Sequence, residues 1–133
     1  MADIEDLEQV REIFRGDRFA TEMGAVIDEI GDHHAKCSLI INEHHKNAMG
    51  GVMGGVYFTL ADFAFAVASN WQKAGVVGLN CDAAFIGAPK TERIIAEANL
   101  VKDGRSICTY DVKITDELGN IVATVQCMGF HKG

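Results

Sequence analysis

The sequence predicts an α+β fold in which an antiparallel sheet of five or six strands wraps around one long apolar helix. Three observations carry this expectation. The stretch Gly50–Trp71, GGVMGGVYFTLADFAFAVASNW, is apolar around the whole circumference of a helix and contains a single carboxylate, Asp62. Four β-type segments separated by short polar turns follow Gly75, and a hairpin-like pattern precedes the helix. A helix that is apolar on every side needs cover on every side, which a curved sheet can supply.

Taken in order, residues 3–15 place Ile4, Leu7, Val10, Ile13 and Phe14 at helical spacing, giving a short amphipathic helix that stops near Gly16. AVIDEI and AKCSLII, between Ala25 and Ile41, read as two strands joined by a turn at residues 31–34. Residues 43–52 are polar and then glycine-rich, a loop leading into the helix from about Gly54 to Trp71. The segments VVGLNCDAAFIGA, ERIIAEANLVK, SICTYDVKITD and NIVATVQCMGFHK, divided by PKT, DGR and ELG, predict a four-strand antiparallel meander. The sole proline, Pro89, falls in a turn, where its missing amide donor costs nothing. No repeat, linker or low-complexity tract is present, and the 133 residues are expected to form one domain spanning 1–133.

Composition narrows the function classes. With 48% apolar and 23% charged residues, the chain matches soluble globular proteins and not disordered or fibrous ones. No apolar run is long enough to span a membrane, and the start MADIEDLEQVREIF is acidic and amphipathic, unlike a secretory signal, so a cytoplasmic location is expected. A formal net charge of −7 repels phosphate backbones, and no basic cluster with interleaved aromatics offsets it, which argues against a nucleic-acid partner. Cys37, Cys81, Cys108 and Cys127 form no CxxC pair and read as reduced, mostly buried thiols. The His-His pairs at 33–34 and 44–45 fall on turns and read as solvated residues, so no metal is expected.

Asp62 is the residue that demands a function. An ionised carboxylate in an apolar setting is costly unless paired, hydrogen-bonded or put to use. No Lys or Arg lies between Gly50 and Gln72, so no neighbour on the helix can neutralise it.

The ordered set His45–Asn47, Gly54–Gly55, Leu60–Asp62, Ala88–Pro89 and Asp116–Gly119 resembles the hotdog-fold acyl-CoA thioesterases of the phenylacetate-pathway (PaaI-like) type, and the resemblance covers most of the chain. It implies hydrolysis of a small aromatic or short- to medium-chain acyl-CoA, with coenzyme A present as part of the substrate and no other cofactor. In this resemblance Gly54 supplies the backbone amide that stabilises the oxyanion, aided by the helix macrodipole. Asp62 acts as general base on water or attacks as nucleophile, and Asn47 orients water or the thioester oxygen. Gly54 and Asp62 are eight residues apart, about 12 Å along one helix, too far to meet at one carbonyl. The site is therefore expected to join two subunits of a homodimer, or of a homotetramer built from two dimers.

Further candidate substrate contacts accompany this reading. His45 supports the loop, Gly55 completes the doublet, and Phe58, Phe63 or Phe65 line an acyl pocket with Leu79 and Asn80. Lys90, Arg93, Lys102 and Arg105 are the cations expected at the phosphates of CoA. One position departs from the pattern: the histidine that precedes the glycine doublet in the family is Met53 here, which removes a side-chain donor and makes the pocket more apolar. The alternative reading is a non-catalytic acyl-CoA-binding or sensing protein of the same fold. A dehydratase of this fold needs a histidine paired with an acid near the helix, and no histidine lies between Asn47 and Gln72.

Overall fold

The computed structural model describes residues 4–133, and the side chains from Asp6 onward. Its elements are α1 (Ile4–Phe14), α2 (Arg18–Met23), β1 (Val26–Gly31), β2 (His34–Ile40), a single 3₁₀ turn (Glu43–His45), α3 (Gly54–Asn70), β3 (Val76–Phe85), β4 (Arg93–Asp103), β5 (Ile107–Asp116) and β6 (Ile121–His131). The expected start of the first helix at residue 3 lies outside the described residues. Helix α2 is an addition to the sequence reading. It is one and a half turns long, buries only Ala20, and closes on Gly24 with φ of +116°.

The six strands form one antiparallel sheet in the order β1-β2-β4-β5-β6-β3. This corrects the expected four-strand meander: only β4, β5 and β6 follow one another as neighbours, while β3 pairs with β6 at the far edge. The connection after β3 must therefore cross the ends of β6 and β5 before entering β4. It is pinned on the way by Ile86 and Gly87, whose N–H groups donate to the Val122 carbonyl at 2.9 and 3.1 Å. The crossing is close enough that a Cβ on Gly87 would sit 2.7 Å from the Ile121 carbonyl oxygen.

A buried carboxylate completes this corner. Asp116 is 1% exposed and accepts from the Lys90 N–H (2.8 Å), Leu118 N–H (2.9 Å), Asn120 N–H (3.0 Å) and the Asn120 Nδ2 (3.0 Å). These donors, the Asn120 amide foremost, hold its pKa down to about 2. The Ala88–Pro89 and Asp116–Gly119 signatures are thus two halves of one structural joint. Because the folded-state pKa lies below the unfolded value of about 3.9, the stability this carboxylate contributes is complete above pH 4 and is lost as pH falls toward 2. Asp116→Asn is expected to lower Tm at pH 7 and to flatten the dependence of Tm on pH between 4 and 2. An unchanged acid limb would overturn this assignment.

The core lies between α3 and the concave side of the sheet. Leu60, Ala61, Ala64 and Val67 are fully inaccessible, as are Ala96, Ala98, Ile114 and Val122 of the strands. Alanines on both sides let helix and sheet approach closely. On a second side α1 packs through Phe14, edge-on to Phe63 with ring centres 6.4 Å apart. The expectation of complete cover is corrected on a third side: Gly55, Phe58 and Asp62 are exposed, and Thr59, Ala66 and Ser69 are partly so. Their spacing of three and four residues makes them one stripe along α3. It borders β3, an edge strand exposed along most of its length.

The end of α3 is tied to both neighbours. Trp71 Nε1 donates to the Gly31 carbonyl at 2.7 Å, joining the helix exit to the β1–β2 hairpin. The Asn70 side chain accepts from Gly75 N–H (3.0 Å) and Val76 N–H (2.9 Å) and donates to the carbonyls of Ala66 (3.1 Å) and Val76 (3.2 Å). Among the described residues no helix is long and apolar enough to cross a membrane.

Candidate active site

The N-terminus of α3 is built by the loop before it. His45 is 3% exposed, and both ring nitrogens are used internally: the Asn42 N–H donates to Nδ1 at 2.9 Å, and Nε2 meets the Met23 carbonyl at 2.7 Å. Nδ1 is the acceptor, so the proton sits on Nε2 and is donated to Met23. The His45 carbonyl in turn accepts from the Met53 N–H at 2.9 Å. Asn47 Oδ1 accepts from Met49 N–H (2.9 Å) and Gly51 N–H (3.1 Å), an Asx-type turn that closes the glycine-rich loop. The His-x-Asn signature therefore shapes the approach to α3. His45 has no nitrogen left for a ligand, and Asn47 keeps only its Nδ2 for one.

Met53 is the N-cap, in extended backbone and with no side-chain cap bond. Val56 N–H turns back to the Met53 carbonyl at 3.0 Å. Gly54 and Gly55, at the first two helical positions, have no carbonyl within the helix to bond, and their N–H groups point along the axis with the positive end of the macrodipole. The two glycines differ in surroundings. A Cβ on Gly54 would lie 2.9 and 3.1 Å from ring atoms of Phe85, whereas one on Gly55 would meet nothing within 4 Å. Gly54 is thus a packing glycine as well as an amide donor, and the open approach to the helix end is at Gly55.

Two clefts flank this terminus. One, of about 610 Å³, is bordered by Gly54, Tyr57, Phe85 and Pro89 with Lys46 and Lys90 at its rim. The other, of about 560 Å³, is an apolar groove between α2 and α3 lined by Phe19, Met53, Gly55, Val56 and Thr59. Met53 is 50% exposed there.

Two turns along α3, Asp62 stands on the open stripe. Partial burial of its carboxylate pushes its pKa up from the ordinary value, and the charge of Asp17, at the start of α2, adds to the shift. Burial likewise raises Asp17. Cys81 on β3 offers its thiol to Asp62 Oδ1 at 4.0 Å. No cation is present on α3 to offset the charge, as its residue types already implied.

Other expected contacts are dispersed. Phe65 is 2% exposed and packs edge-on against Tyr110 at 5.5 Å, and Phe63 is buried against Phe14, so both are core residues and not pocket walls. Phe58 is 39% exposed on the stripe. Leu79 is the extra residue of a bulge in β3, and Leu79 and Asn80 both lie exposed on that edge. The four cations do not form one patch. Lys90 borders the cleft beside Gly54, Arg93 is paired with Asp28 at 3.3 Å, and Lys102 and Arg105 lie at the opposite end of β4, about 30 Å of strand away. Lys46, which the sequence reading did not single out, joins Lys90 at the cleft. Among the described residues no group of three or more His, Cys, Asp or Glu is arranged to hold a metal ion.

Comparison with known proteins decides the family, because the model of the Thioesterase superfamily matches residues 49–123, more than half of the chain and all of α3. The chain belongs to the thioesterase superfamily. A candidate esterase of Deinococcus radiodurans is 31% identical over 106 residues, covering 79% of this chain and 73% of the relative. The solved PaaI protein of the Escherichia coli phenylacetic acid degradation operon superimposes with a TM-score of 0.88 at 24% identity, covering 97% of this chain and 95% of that one. A phenylacetic acid degradation protein PaaI of Thermus thermophilus, solved as a mutant, gives 0.81 at 28% identity, covering 86% and 99%. A hypothetical thioesterase of Streptococcus pneumoniae, solved with coenzyme A, gives 0.82 at 22% identity, covering 90% and 97%. The fold is the hotdog fold of the PaaI-like thioesterases, and this thioesterase is a thioester hydrolase. What the sequence reading lacked was the part played by the loop signature, whose His45 and Asn47 side chains are engaged in shaping the approach to α3.

Proposed function

We propose that this thioesterase hydrolyses acyl-CoA esters of uncharged aromatic or short- to medium-chain acids, at a site shared by two copies of the chain. The observation that carries the reading is the uncovered stripe of α3, which presents a carboxylate with a raised pKa two turns from a pair of unbonded amides. One protomer cannot bring Asp62 and Gly54 to the same carbonyl. Two antiparallel helices can, and because Phe58 is midway between residues 54 and 62, pairing about Phe58 sets each Asp62 beside Gly54 and Gly55 of the other protomer. The exposed β3 edge beside the stripe extends the same surface.

In this arrangement Asp62 takes a proton from water as the water oxygen attacks the thioester carbon. The developing oxyanion is held by the Gly54 and Gly55 amides, with Asn47 Nδ2 orienting the thioester oxygen. Collapse expels CoA thiolate, which takes up the proton. Met53 offers no donor, so the backbone amides and Asn47 Nδ2 carry the oxyanion without a side chain at the N-cap. The apolar groove beside Gly55 receives the acyl group, and Lys46 and Lys90 face the CoA phosphates from the other cleft. No cofactor takes part. The coenzyme A held by the Streptococcus pneumoniae thioesterase supports the choice of carrier.

Free thiol release from a panel of aromatic, short-chain and medium-chain acyl-CoAs tests the reading, with sedimentation measured alongside. Binding of intact acyl-CoA without release from any member would overturn it in favour of an acyl-CoA-binding protein. The charge of Asp17 contributes to holding the Asp62 pKa up, so Asp17→Asn is expected to shift the acid limb of kcat/KM to lower pH with little effect on the plateau. An acid limb that stays in place would show that Asp62 is not the titrating base.

A further inference from the structure

Cys81 and Cys127 are direct cross-strand partners in the β3–β6 ladder, and their sulfurs lie 3.1 Å apart. Opposed residues of an antiparallel pair have Cα atoms about 4.5–5.5 Å apart, inside the range a disulfide requires, so the sulfurs need only approach by about 1 Å. The two differ in access. Cys127 is fully inaccessible, whereas Cys81 is partly open on the edge strand, three residues after Gly78 and just past the Leu79 bulge. The Cys127 thiol, hydrogen-bonded to Cys81, keeps the Cys81 pKa below the ordinary range and holds its own proton more firmly. Cys81 is also the thiol that contacts Asp62 Oδ1 at 4.0 Å. The other two cysteines, Cys37 and Cys108, are 0% and 1% exposed.

We propose that Cys81 and Cys127 form an oxidisable dithiol site beside Asp62, closed by a small-molecule disulfide, and that closure slows the hydrolysis. The Cys81 thiolate attacks one sulfur of the oxidant, forming a mixed disulfide and releasing one thiol. Cys127 then gives up its proton to solvent and attacks Cys81 Sγ, releasing the second thiol. The protein loses two electrons and two protons, and one disulfide molecule becomes two thiols. Access is set by the reaction itself: a thioester that reaches Asp62 brings its sulfur into the same space. Closure removes the thiol that Asp62 faces. The carboxylate loses the side-chain contact that orients it on the open stripe and is less well aimed at the attacking water. This last step rests on the role given to Asp62 above.

The test treats reduced, full-length protein with oxidised glutathione and reads mass, non-reducing peptide maps and acyl-CoA hydrolysis in parallel. The expected result is a mass about 2 Da lower, a peptide linking Cys81 to Cys127, free Cys37 and Cys108, and hydrolysis reduced about fivefold and restored by dithiothreitol. Cys127→Ser is expected to stop at a glutathione adduct on Cys81, and Cys127→Ala serves if the serine variant does not fold. Failure of the Cys81–Cys127 link to form, or a link with unchanged hydrolysis, overturns the proposal. Because the link is read by mass, it stands or falls separately from thioesterase activity, which the reduced protein alone decides.

Discussion

Asp62→Asn is expected to lower kcat/KM for acyl-CoA hydrolysis by about 10²–10⁴-fold, the range lost with a general base, while the protein remains folded. The substitution is nearly isosteric, and Asp62 stands on the open stripe of α3, where the side-chain contact it receives from Cys81 is a long one. Stability has no reason to fall. Burial and Asp17 both disfavour the ionised carboxylate, so removing its charge is expected to leave Tm at pH 7 unchanged or raised. Loss of activity without loss of Tm is the signature of a residue held for chemistry at some expense to the fold. Thiol release and thermal melting on the same preparation check both halves. An Asp62→Asn variant retaining more than about a tenth of wild-type activity would contradict a base assignment of this size. Single turnover in ¹⁸O-labelled water then separates the two chemistries open to a carboxylate: label stays out of Asp62 if it is a base and enters it if it is a nucleophile.

The second large effect falls on stability. Gly129→Ala is expected to destabilise the fold by about 1–3 kcal/mol, a fall in Tm of about 3–12 °C for a chain of this length. A Cβ at Gly129 would sit 2.5 Å from Val76 Cγ1, 3.0 Å from Phe65 Cζ and 3.1 Å from Cys108 Sγ. Val76 can yield a little at the strand start. Phe65 and Cys108 cannot, being 2% and 1% exposed, and Phe65 is further held edge-on by Tyr110. Gly55→Ala is the contrast, since its Cβ meets nothing within 4 Å and alanine is the better helix former. Equal Tm values for the two variants would show that the core around Gly129 repacks without strain.

Much of the fold was legible because it is written locally. The apolar run through α3, the hairpin around Gly31–His34 and the three-strand meander each depend on periodicity and turn residues within a short window. The displaced β3 was not legible. The order of strands is decided by which edges pair across the sheet, and the crossing after Phe85 is fixed by Val122 and Asp116, some 26 to 36 residues later in the chain. Helix α2 was invisible for a different reason: six residues with one buried position carry no period. The open stripe on α3 was hidden by composition, since glycine, alanine and phenylalanine read as apolar on either face, and Asp62 was its one charged member.

The site was legible to the extent that its residues share α3. Asp62 was singled out as a candidate by the cost of an unpaired carboxylate, and the glycine doublet by the resemblance together with the properties of a helix end. The bonds that engage His45 and Arg93 were not legible, because their partners, the Met23 carbonyl and Asp28, are far away in sequence. The proximity of Cys81 to Asp62 left no trace in spacing, although both cysteines had been noted.

Asn70 anchors one end of the edge strand. Strand β3 is paired on one side only, and its first residue is held by the same side chain that ends α3. Opening of β3 from its Val76 end breaks the Asn70 bonds to Gly75 and Val76, so amide exchange at that end is governed by a latch at the helix exit as well as by the ladder to β6. The exit of α3 and the start of the strand beside it thus share one anchor, which lies at one end of the surface on which two protomers are proposed to meet.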